Sequence, residues 1–170
     1  MVFIVGCICA TGIDRASAQT SVSDAVIPPA NLTVAAVFGP ALDHMLRLSP
    51  TFRRQCRRLA AATNVIVVIQ LEELQRRPSF YARTTFAHGN HDELIAADVF
   101  LQSPANAAEL IAHEIEHVLE QLDGVDLEAQ LESGNVWKHE DGGFETRRAT
   151  EVGRRVAREV RLALSARSSK

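Results

Sequence analysis

The clearest periodic signal in the chain lies over residues 107–122. Leu110, Ile111, Ile115, Val118, Leu119 and Leu122 recur there at helical spacing. Ser103-Pro104 and Asn106 open this helix, and Asp123-Gly124 ends it, with Gly124 available as a left-handed cap. Upstream, VIVVI at 65–69 is a continuous β-branched run and predicts a strand. Residues 84–87 and 94–101 predict two further strands, joined by the turn-rich HGNHDE. Residues 40–48 predict a short helix closed by Ser49-Pro50. Residues 51–62 predict a second helix, capped by Ser49 or Thr51, with Phe52, Cys56, Leu59 and Ala60 on one side. Residues 123–143 read as a loop with one short helical piece, and 144–165 as a last, arginine-rich helix. The sum is an α+β domain: a short mixed or antiparallel sheet packed on the 107–122 helix and a C-terminal helix.

The N-terminal residues are of a different kind. Residues 2–12 read VFIVGCICATG, an apolar run as long as a signal-peptide core. Ala16-Ser17-Ala18 follows, the small-x-small pattern that signal peptidase cuts after. A signal over residues 1–18 is expected, with cleavage near Ala18-Gln19 and a secreted or periplasmic mature protein. No Lys or Arg precedes the run, and a buried N-terminal strand is the alternative. Residues 19–37, with Pro28-Pro29, read as a polar leader, and 38–170 as one domain, which suits 170 residues. No apolar run reaches the 18 or so residues that a membrane span needs. Cys7 and Cys9 would leave with the signal, and Cys56 alone forms no internal bridge. It reads as a small buried residue.

Composition adds exclusions. Hydrophobic residues are 46% and charged residues 23%, which argues against wholesale disorder. The net charge of -3 and 5% aromatics give nucleic acid neither a basic patch nor a stacking platform. Residues 84–137 contain no Lys or Arg, whereas 144–170 are rich in arginine. Arg147, Arg148, Arg154, Arg155, Arg158 and Arg161 spread round their helix, as on a solvated helix that pairs with the acidic segment.

The 107–122 helix carries the candidate chemistry. Its centre reads Ala112-His113-Glu114-Ile115-Glu116-His117-Val118. His113 and His117 are four apart, so both imidazoles leave one face, one turn apart, within reach of one zinc ion. Glu114 lies about 100° round the helix, beside the metal, where a general base takes a proton from water. Glu116 points to another face and is expected in solvent. With 6 His in the chain, a chance HExxH is expected roughly 0.02 times.

Zinc needs a third protein ligand. Asp123 and Asp126 lie just past the helix, before the chain has turned back. Glu145 is favoured, because it follows Gly142-Gly143 and opens the returning helix. Glu151 and His139 stay open behind it. His88 and His91, either side of Gly89-Asn90, read as an exposed turn.

AHEIEHVLEQ followed by FETRRA resembles a zincin metallopeptidase of the glutamate-ligand kind, a gluzincin, over residues 94–160. The resemblance implies zinc (Zn2+) on His113, His117 and a glutamate, with Glu114 activating water for hydrolysis of a peptide or protein substrate. It also implies a substrate-aligning edge strand upstream of the helix, which would be 94–101. A Tyr or His commonly stabilises the oxyanion; Tyr81, His88, His91 and His139 are available. Glu120 and Asp123 exclude the HExxHxxGxxH subfamily. The alternative is a non-catalytic zinc-binding module with a structural or partner-binding role, against which the intact Glu114 argues.

Overall fold

The fold begins inside the stretch read as a leader. In the computed structural model, which describes residues 27–72, 82–139 and 142–169, Leu32–Val34 forms strand β1. Asn31 secures it: its Nδ2 donates to the carbonyls of Leu59, Ala62 and Val65 at 2.9–3.0 Å. The signal reading of 1–18, its cleavage point and Tyr81 lie outside the described residues.

Helices α1 (Gly39–Leu48) and α2 (Pro50–Ala61) follow, then β2 (Ile66–Leu71). β1 pairs with β2 in parallel, Leu32 opposite Val67. β3 (Ala82–His88) and β4 (Leu94–Leu101) form the expected hairpin, with Asp92 at positive φ in its turn. β2 also pairs in parallel with β4, so the order is β1-β2-β4-β3 in a mixed sheet. This corrects one expectation. β4 has neighbours on both sides, and the edge beside the HExxH helix is β3.

Alternation sorts the sheet residues. Val67, Ile69, Ala97, Val99 and Leu101 point into one buried core, whereas Ile66 on the other face is exposed, as are Leu71 at the end of β2 and Ile95 at the irregularity in the β3–β4 pairing. The core is closed by Phe38, Met45, Phe52 and Leu59, and by Ile111, Ile115, Val118 and Leu119 of helix α3 (Ala107–Leu122). Thr84 sits opposite Val99 and so faces the same way as the core row. The α3 bounds are those the periodicity predicts, and Gly124 follows at φ +66.

Beyond α3 the chain differs from expectation. Val136–Lys138 forms β5 and Phe144–Thr146 forms β6, an antiparallel ribbon, and helix α4 (Arg147–Ser168) begins only after it. Phe144, Glu145 and Thr146 are therefore strand residues, too few to show a period in sequence. The domain is α+β, as the pattern implied; the four-stranded sheet packs on α3, and α4 packs on α3, α1 and α2 rather than on that sheet. Among the described residues, no helix is long and apolar enough to cross a membrane.

Two contacts fix α4. At Gly153 an added Cβ would lie 2.8 Å from the Glu109 carbonyl oxygen and 3.1 Å from the His113 Cβ, so only glycine admits this approach to α3. Further along, Glu159 reaches the α1–α2 junction. It accepts from Ser49 Oγ, and from Thr51 N and Oγ1 at 3.1 and 2.7 Å. Ser49 also caps α2 by accepting from Phe52 N at 3.0 Å. Cys56 is buried in α2, and burial pushes its thiol up to about 12, with the Arg57 charge opposing only in part. It is an inert packing residue.

Gly153→Ala is expected to lower the unfolding free energy by about 1–3 kcal/mol, because the contact atom is backbone and cannot swing away. Urea unfolding of the two proteins measures this. Burial raises the Glu159 carboxyl, but the Ser49 and Thr51 hydrogen bonds and the Arg54 charge outweigh it and hold the group below its ordinary 4.5. A carboxyl with a depressed folded-state value stabilises the fold above the unfolded value, and that contribution fades as pH falls through the folded one. The stability gap between wild type and Glu159→Gln should therefore be widest near neutral pH and close in acid, measured by urea unfolding across pH 2–7.

Candidate metal centre

α3 is covered on more than one side, and that governs its polar residues. The apolar stripe faces the sheet, while α2, α4 and β6 cover the remaining turns. Glu114 and Glu116 are each 5% exposed, His117 9% and Glu120 2%. Buried polar groups of this kind need partners: the three glutamates find theirs on other elements, whereas His117 is bonded to Glu120 and His113 of α3 itself.

His113 and His117 turn their Nε2 atoms towards each other, 3.1 Å apart. Glu145 on β6 meets both: its Oε2 lies 3.2 Å from His113 Nε2 and its Oε1 3.7 Å from His117 Nε2. A tetrahedral zinc with donors at about 2.0–2.1 Å holds them roughly 3.4 Å apart, so these spacings fit one ion with little movement. Among the described residues, these three form the one group of His, Cys, Asp or Glu donors gathered for a metal.

The group is held from behind. His117 Nδ1 faces Glu120 Oε2 at 2.9 Å, which places the proton on Nδ1 and the lone pair on Nε2. Glu120 Oε1 accepts from Thr146 Oγ1 at 2.8 Å, and Thr146 Oγ1 in turn caps α4 by accepting from Ala149 N at 3.0 Å. Successive strand residues point to opposite sides. Glu145 is thus aimed at the imidazoles while Thr146 is aimed at their support. The Thr146 N–H, 2.8 Å from Glu145 Oε1, fixes the carboxylate further.

The electrostatics agree with a tight cluster. Burial lowers the His113 imidazole, but the Glu145 hydrogen bond and the charges of Glu145, Glu114 and Glu120 raise it, and the net shift is upward. Burial raises the Glu145 carboxyl, but the His113 hydrogen bond, the two imidazoles and the Thr146 N–H outweigh it, and the net shift is downward.

Glu114 follows His113 in α3 and is 5% exposed. Its Oε2 accepts from Thr84 Oγ1 of β3 at 2.6 Å, so the edge strand orients the carboxylate. Glu116 is a correction: it is buried rather than in solvent. Gln55 Nε2 of α2 donates to it at 2.7 Å and Arg148 Nε of α4 at 2.6 Å, because both helices pack where solvent was expected. Arg148 also binds Asp123, which Arg58 of α2 joins, so one of the arginines named on this helix, Arg148, pairs with acidic residues of α3 and its end.

The remaining sequence candidates stand elsewhere. Glu151 and His139 are exposed and do not join the group. His88 and His91 are exposed at the β3–β4 turn. Asp126 caps its own turn, accepting from Ala129 N at 2.9 Å. Sequence reasoning missed Glu120, Thr84 and Thr146. Glu120 had a local signal, three residues past His117 and hence on the same side of the helix. Thr84 had none.

No protein-family model matches this chain, and no curated protein or solved structure matches it significantly. The functional reading therefore rests on the geometry above. Glu120→Ala is expected to weaken zinc binding about 10- to 100-fold by releasing His117. Competition against a chelator of known affinity measures this.

Proposed function

We propose that the protein is a zinc-dependent peptidase of the glutamate-ligand kind, with His113, His117 and Glu145 holding the metal and Glu114 acting as general base. The observation that carries this is the arrangement of the four side chains. Three donors converge with zinc-compatible spacing, and a carboxylate oriented from another element stands beside them. A site needed only for structure has no use for that fourth group.

Zinc, when bound, supplies Lewis acidity that acidifies water and polarises a carbonyl. Glu114 takes a proton from the attacking water as the new C–O bond forms. It then delivers that proton to the amine as the C–N bond breaks. Thr84 keeps the Glu114 carboxylate turned to this task. β3, an edge strand of the sheet formed by the described residues, supports pairing of its backbone with an extended peptide. The apolar run at 2–12 and Ala16-Ser17-Ala18 support export of such an enzyme.

Glu114→Gln should retain about one zinc per chain by mass spectrometry and lose roughly 10²- to 10⁴-fold in kcat/KM on a peptide substrate. Wild type that holds zinc but cleaves no peptide would assign the site to a structural or partner-binding module. Wild type that binds no zinc would remove the metal centre.

A further inference from the structure

The ribbon that delivers Glu145 also presents the single tryptophan of the chain. In the β5–β6 register, Trp137 lies directly opposite Glu145. Residues opposed in an antiparallel pair project from the same face, with Cβ atoms about 4.5–5.5 Å apart. Trp137 therefore stands on the face from which Glu145 meets His113 and His117. The neighbouring pair, Val136 and Thr146, projects the other way and is buried. One face of the ribbon is thus packed on the domain, and the other carries a candidate ligand and an indole side by side.

Trp137 is 40% exposed. Among the described residues, the other exposed large hydrophobics are Ile27, Val37, Ile66, Leu71, Ile95 and Leu162, none of them on β5 or β6. A tryptophan left partly in water forgoes a large burial gain, and it offers that gain to an incoming apolar group. The carboxylate of Glu145 opposite it gives a ligand orientation, whereas the indole gives it affinity.

We propose that Trp137 forms the apolar wall of a substrate subsite beside the metal, and that the site takes peptides with an aromatic or large aliphatic side chain next to the bond cleaved. The inference rests on the peptidase reading and names its substrate class. Trp137 is a specificity-determining residue: it touches substrate and leaves the metal ligands alone.

The test uses binding rather than turnover. The zinc-loaded full chain is titrated by calorimetry with phenylalanine hydroxamate and glycine hydroxamate, which share a zinc-binding head and differ in the benzyl group. The phenylalanine compound should bind about tenfold tighter or more to wild type and to Trp137→Phe. In Trp137→Ala the preference should fall to within about twofold, with zinc content unchanged. A preference in Trp137→Ala equal to that of wild type overturns this inference and leaves the peptidase reading standing. Unchanged Trp137 emission on saturation with the phenylalanine compound also overturns it. Wild type that retains no zinc overturns the metal centre and this inference together.

Discussion

The structure depends on one constraint: α3 buries charged and polar groups on sides that an ordinary surface helix gives to water. Its apolar stripe faces the sheet, yet Glu114, Glu116, His117 and Glu120 are covered as well. A buried carboxylate without partners would cost several kcal/mol. Each partner comes from a different place in the chain: Thr84 on β3, Gln55 on α2, Arg148 on α4 and Thr146 on β6. Four elements are thereby keyed to one helix by directional bonds, in addition to the non-directional core. Burial of α3 and construction of the site are the same event.

The close approach at Gly153 serves the same end. It lets α4 run against α3 next to His113, so the strand just before α4 arrives beside the imidazoles. The cap of α4 is shared with the support of His117, since Thr146 Oγ1 serves both. Starting a helix and holding a histidine are tied to a single hydroxyl.

What was legible in the sequence was local. The period of Leu110, Ile111, Ile115, Val118 and Leu119 sets α3, and the spacing of His113 and His117 sets their common face. Glu145 was reachable because the chain must return and Gly142-Gly143 marks where it turns. What was not legible was non-local. β1 is three residues long and gains its place from pairing with β2 more than thirty residues later. The order β1-β2-β4-β3 depends on which strands meet, and no single strand states it; hence β4 was read as an edge. Glu116 looks like a solvent residue until α2 and α4 are both in place. Thr84 becomes part of the site only through the β3–β4 register.

The ribbon of β5 and β6 carries a final consequence. Because strand residues alternate faces, Glu145 and Thr146 divide two duties between neighbours. The centre is therefore governed by parity. A slip of one residue along β6 that carried Glu145 into the Thr146 position would set a carboxylate against Glu120 and the ring of Phe144 at the imidazoles, removing the charge pattern of the whole cluster. The segment between α3 and β5 is under no such rule; it is held at its two ends, where Asp123 binds Arg58 and Arg148 and the Asn135 carbonyl accepts from Arg147 N. In this domain, the sense of a three-residue strand decides which chemistry meets the two imidazoles.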